Sequence, residues 1–169
     1  MIKKIILIYF LFVSAVFSQQ LFISDEYGFE ITFPAYLVVN KGTTENPAVI
    51  AHINEYTLLN VVLQSDAGLS GKKMDYYNLD SFITPMKEML LKDMIGFKLI
   101  NYDRININGT GAIYFAYDYY KGMNEVRVKQ YFMINNSKMY AITTMCPESE
   151  AGDFEIVFND CVNSFKFLK

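Results

Sequence analysis

The chain has no tryptophan, one histidine, two cysteines and four prolines in 169 residues. Each scarcity closes off some chemistry. With His52 as the sole imidazole, no Cys/His cluster has zinc spacing, and no calcium-loop pattern occurs either. A hydrolytic nucleophile needs a neighbouring base. The serine motif Gly68-Leu69-Ser70-Gly71 also lacks the strand-to-helix context of a nucleophile elbow. The same stretch lacks the Lys-Ser/Thr ending of a phosphate-binding loop. His52 and Glu55 are three apart and fall on opposite faces of a strand unless a turn after Ile53 brings them together. Cys146 and Cys161 sit at apparent core positions. The sequence therefore implies neither an enzyme nor a bound cofactor.

Positive charge is also scarce. Lys3 and Lys4 belong to a leader, and removing them from the 15 basic residues leaves 13 against 18 acidic ones. Such a surface argues against a nucleic-acid binder, which needs a dense basic patch, and against adsorption to anionic lipid. The leader itself has the pattern of a secretory signal peptide over residues 1–18. Two lysines precede the apolar run Ile5–Phe12, and Val16-Phe17-Ser18 leads to a cleavage point before Gln19. A membrane span needs roughly 20 apolar residues, and this run is shorter. No cysteine lies near the cleavage point, so nothing suggests a lipoprotein. The expectation is an exported protein, periplasmic or secreted, with no stable membrane span once the leader is cut. Residues 19–169 are enough for one domain with a substantial core.

What the mature chain does have is tyrosine and phenylalanine, 13 and 14 of them. Tyr27–Phe33 alternates as a half-buried strand stopped by Pro34, and Tyr36–Val39 continues extended into a polar turn at 41–46. Ala48–Ile53 and Leu58–Gln64 read as strands joined through Asn54-Glu55-Tyr56. Residues 66–78 form the longest turn-like segment. A helix with Thr84 as its cap and Pro85 at its first position runs to Met94. Phe97–Ile107 and the strand after it flank Asn108-Gly109, a type I′ hairpin signal that outweighs reading Asn108-Gly109-Thr110 as a glycan acceptor. Asn135-Asn136-Ser137 is the same case.

Beyond that turn, Ile113, Phe115, Tyr117 and Tyr119 share one face, while Ala112, Tyr114, Ala116, Asp118 and Tyr120 share the other. The next strand sets Glu125, Arg127 and Lys129 apart from Val126, Val128, Phe132 and Ile134, placing the charged side near water. Lys138–Met145 completes a four-strand antiparallel meander. A final helix starts near Ser149 or Asp153, with Phe154, Val157, Phe158, Cys161 and Phe165 on one stripe and Glu155, Asn159 and Asp160 opposite. The class is α+β. Cys161 lies about 15 Å along that helix, beyond the roughly 7 Å a disulfide tolerates, unless the helix folds back over Cys146. A bridge and two buried thiols both remain open.

Three stretches, taken in order, resemble the PsbP-like superfamily: "YGFEITFP" at 27–34, "NGTGAIYFAYDYY" at 108–120, and "KMYAITTM" at 138–145 followed by an acidic helix and "VNSFKF" at 162–167. The resemblance spans most of Tyr27–Phe167. It implies an antiparallel sheet with helices packed on both faces, an α/β/α sandwich, and bacterial members that act as binding or accessory proteins. The expected role is thus a non-catalytic envelope module that binds a protein or envelope component. Tyr114, Tyr120 and Tyr131, on the face of Arg127, are its possible interaction surface, set against a packing role for Tyr114 beneath a helix admitted by Ala112 and Ala116. The alternative is a small-ligand or metal-binding protein using the 66–78 loop and the adjacent sheet edge.

Overall fold

The computed structural model describes residues 18–42, 48–65 and 67–169. The leader at 1–17, most of the predicted polar turn, and Asp66 lie outside the described residues.

The strands form two antiparallel sheets. The larger has the order β3 (Val38–Lys41), β4 (Val49–His52), β5 (Leu58–Ser65), β9 (Lys138–Pro147), β8 (Asn124–Asn135), β7 (Thr110–Lys121), β6 (Lys98–Ile107). Its second half is the meander that the alternation predicts. The smaller sheet joins β1 (Gln19–Ser24), β2 (Phe29–Pro34) and β10 (Lys166–Phe167). The single sheet expected from the sequence is corrected here, because the opening and closing strands pair with each other and not with the meander. The strand Gln19–Ser24 carries no sequence signal. Its three consecutive apolar residues break the alternation, and Leu21 and Ile23 end up exposed.

The first helix, α1 (Leu79–Asp93), begins six residues before the predicted Pro85. Asn78 supplies the cap, its side chain accepting from the Ser81 N–H at 2.9 Å. Pro85 therefore lies inside the helix, at a cost of about 3 kcal/mol. Burying Ile83 and Leu90 returns about 1.5–3 kcal/mol each, enough to outweigh it. A short 3₁₀ turn, Glu148–Glu150, leads into the second helix, α2 (Ala151–Ser164).

Strand β7 feeds two apolar clusters through its period of two. Ile113, Phe115 and Tyr117 join Val126, Val128 and Phe132 of β8 with Ile83 and Leu90 of α1. Ala112 joins Tyr131, Met133 and Cys146 with β2 and with Phe158, Cys161 and Val162 of α2. Both thiols are free and buried. Burial pushes Cys146 up to about 11 and Cys161 to about 12.

The β6–β7 turn does more than reverse the chain. Asn108 and Gly109, at φ 47° and 83°, sit in the left-handed region that a type I′ turn requires. Asn136 and Ser137 do the same between β8 and β9. The Asn108 amide donates to the carbonyls of Asn163 at 2.6 Å and Phe165 at 2.8 Å. The hairpin tip thus closes the C-terminus of α2, whose last carbonyls have no partner within the helix. Beside it, Ser164 Oγ accepts from the Thr32 N–H at 2.8 Å and donates to the Cys161 carbonyl at 2.6 Å. Asn108→Gly keeps the turn conformation and deletes both bonds, so it is expected to cost about 1–3 kcal/mol. Thermal melting should fall by about 2–4 °C per kcal/mol. Asn108→Asp, which sets a carboxylate against two carbonyls, should melt lower still. Wild-type melting in both variants would show that the amide contributes nothing.

Candidate functional site

The register of β7 against β8 sets Asp118 opposite Arg127, Ala116 opposite Lys129, and Tyr114 opposite Tyr131. Asp118 is wholly buried. A buried carboxylate requires a partner, and the Arg127 guanidinium meets it as a fork, Nε to Oδ1 at 2.8 Å and Nη2 to Oδ2 at 3.0 Å. The same Nη2 lies 3.1 Å from Glu148 Oε1. One pair along, Lys129 Nζ reaches across to Glu155 Oε1 of α2 at 2.6 Å. These contacts correct the expectation that the charged face looks onto water. Here α2 covers it, and the charges answer one another.

Between those ion pairs the packing is left open. Ala116 offers only a methyl group to fill the space, and Ala151 and Gly152 on the helix side offer no more. The result is a cavity of about 290 Å³, bordered further by Asn101, Arg127, Lys129, Glu155 and Asn159. A second hollow of about 270 Å³ shares Asn101, Lys129, Glu155 and Asn159, and extends past Ile105 to Tyr114 and Tyr131. The two make one groove between α2 and strands β6–β8, with the Lys129–Glu155 pair at its middle. Lys129 holds the Glu155 carboxyl below its usual range. Burial pushes Tyr131 up to about 12 and raises Tyr114, which Asp103 raises further.

Three of the four residues expected at an interaction surface border this groove: Tyr114, Arg127 and Tyr131. The rings of Tyr114 and Tyr131 are 6.3 Å apart. Tyr131 is buried, Tyr114 half-buried. Tyr120 is elsewhere, 45% exposed and laid so closely over Gly96 that a Cβ there would fall 2.5 Å from its ring. Sequence reasoning missed Lys129, Glu155, Asn101, Asn159 and Gly152. It had set Glu155 and Asn159 opposite the apolar stripe, whereas they flank that stripe and reach the groove. Their approach depends on how α2 crosses the sheet, which no local pattern encodes.

The alternative sites are simpler. His52 and Glu55 border one shallow hollow beside Ile50 and Leu58, with no hydrogen bond or ion pair between them among the described residues. The His52 Nε2 is 3.1 Å from the Asn40 amide nitrogen. The 66–78 segment holds two 3₁₀ turns, Ala67–Leu69 and Met74–Tyr76. It is anchored by buried Met74 and by the Arg104 guanidinium, which donates to the Met74 carbonyl at 3.2 Å and to the Tyr77 carbonyl. Among the described residues, no three His, Cys, Asp or Glu side chains gather as metal ligands would. Nor is any helix there long and apolar enough to cross a membrane.

No family model and no curated protein matches the sequence. Solved structures do. The cyanobacterial PsbP (CyanoP) of Synechocystis superposes with a TM-score of 0.66 at 16% identity, over 89% of this chain and 92% of that one. The chain has the PsbP-like fold. LpqN of Mycobacterium tuberculosis, involved in cell envelope biogenesis, has it over 90% of this chain and 91% of its own, with TM-score 0.61 at 10% identity. A Bacteroides thetaiotaomicron protein matches 89% of this chain with 48% of its own length, at TM-score 0.56 and 11% identity. At such identities the PsbP-like likeness carries the fold, and the groove has to be read from its own residues.

The ion pairs make two expectations. Arg127→Met leaves Asp118 charged and buried without its partner, which is expected to cost about 3–5 kcal/mol in a denaturant titration. The double variant Asp118→Leu/Arg127→Met should recover much of that loss, and an equal loss in both would sink the pairing argument. Glu155, held low in the fold, contributes stability above the ordinary carboxylate pKa of about 4.3. That contribution disappears as pH falls through the lowered folded value. Glu155→Gln should therefore melt below wild type at pH 7 and converge with it in acid. The effect should be small, since the Glu155 side chain is 52% exposed.

Proposed function

We propose that this protein is an exported, non-catalytic binding module of the bacterial cell envelope, and that the groove under α2 is where it binds. The reading rests on a fold shared almost end to end with CyanoP and with LpqN, the latter involved in cell envelope biogenesis. The α/β/α arrangement belongs to the same reading. In it, α1 lies with the aromatic face of β7, and α2 with the face of small residues. Inside the groove, Arg127 and Lys129 are bonded to carboxylates, and burial pushes up the pKa of the one thiol on its lining, Cys146. That arrangement suits holding a partner better than attacking one. Tyr114, at one end of the groove, is the aromatic contact we assign to it.

Cell fractionation in the source bacterium, with mass spectrometry of the N-terminus, tests the export half. The expected product begins at Gln19 and is recovered outside the cytoplasm. A cytosolic chain that still carries residues 1–18 would overturn the proposal.

A further inference from the structure

We infer that the groove takes a neutral, hydroxyl-rich ligand, a pyranose ring of a saccharide, and not an anion or a cation. This rests on the binding-module reading above and names its ligand. The first argument is charge. Arg127 is shared between Asp118 and Glu148, and Lys129 is bonded to Glu155. Both cations of the lining are thus already bonded to carboxylates, so an incoming anion must displace a carboxylate from its partner. An incoming cation must displace Arg127 or Lys129. Breaking an established pair leaves a partly desolvated charge behind. A neutral ligand avoids both costs.

The second argument is hydrogen bonding. Asn159 is half-buried on the groove wall, and none of the described residues is hydrogen-bonded to its side chain. Its amide offers both donors and an acceptor to the groove, while the Asn101 side chain on the same lining is engaged with Tyr114. A ligand that presents both on every face, as a sugar hydroxyl does, satisfies such groups where a purely apolar one strands them. The third argument is shape. The two hollows, about 290 and 270 Å³, are at the small end of ligand sites. Ile100, Ile105 and Tyr114 give apolar surface for the C–H face of a ring, while Glu155, Asn101 and Asn159 face its hydroxyls.

The test is an NMR titration of residues 19–169 with glucose, N-acetylglucosamine and their disaccharides, alongside glucuronate and glucose 6-phosphate. Neutral sugars are expected to shift the side-chain amide signals of Asn101 and Asn159 in a saturable manner, and the charged analogues to do so at least about tenfold more weakly. Gly152→Leu is the control for folding. A Cβ at Gly152 meets nothing within 4 Å, and leucine is the better helix former. Its melting temperature should hold or rise while the sugar response is lost. Unmoved amide signals, tighter binding of a charged analogue, or full binding by Gly152→Leu would each overturn the inference. Any of these could occur in a chain correctly exported and cleaved at Gln19, so failure here is separable from failure of the module reading.

Discussion

Asp118 is the residue on which the register of the sheet depends. It is wholly buried, with Lys98 of β6 across from it on one side and Arg127 of β8 on the other, and Arg127 meets it with two hydrogen bonds. Slipping β7 by one residue against β8 would turn Asp118 into the cluster of Phe115, Phe132 and Ile83, and Tyr117 or Tyr119 toward α2. An unpaired carboxylate in that apolar layer costs several kcal/mol, a large share of a domain's total stability. The ion pair need not add stability over a hydrophobic replacement to act in this way. Its effect is to make every wrong register worse.

A correct register in turn fixes what α2 meets. Ala112 and Ala116 stand where the helix approaches, and Met133 and Tyr131 of β8 fill the layer beside them. The far end of the helix is then tied by polar atoms. Asn108 and Ser164 bond to α2 carbonyls and to Thr32 of the small sheet. Two segments some 55 residues apart, and a third near the N-terminus, are thereby closed around one helix end. The Asn108 amide nitrogen, the atom a glycan would occupy, is committed to this junction. That decides the hairpin reading of Asn108-Gly109-Thr110 on chemical grounds.

What could be read from the sequence was whatever repeats locally. The meander from Phe97 to Met145 announces itself through alternation and three turns with positive φ, and the stripe on α2 through its spacing. Pro85 misled because a local rule about proline met a tertiary gain, the burial of Ile83 and Leu90, that exceeds it. The small sheet was illegible for a different reason. It pairs residues from opposite ends of the chain, and β1 buries its polar-flanked set while exposing Leu21 and Ile23. The groove combines both cases. Tyr114, Tyr131 and Arg127 could be placed on one face by counting, whereas Glu155 and Asn159 reach it only through the crossing of helix over sheet.

The groove is not slack left by imperfect packing, because the residues around it forgo stability that was within reach. Gly152 has ordinary backbone geometry and open space where a Cβ would sit, and at a helix position glycine gives up about 1 kcal/mol relative to alanine. Asn159 keeps a half-buried amide without a partner among the described residues, beside the buried Phe158 of the same helix. Ala116 sits fully buried beside unfilled volume. At Gly152 a side chain would meet nothing within 4 Å, so a chain selected for stability alone would place one there. Departures of this kind gather where function sets the residue. Here all three face the same space, bounded by charges that are already satisfied, and the chemistry that space can still accept is neutral.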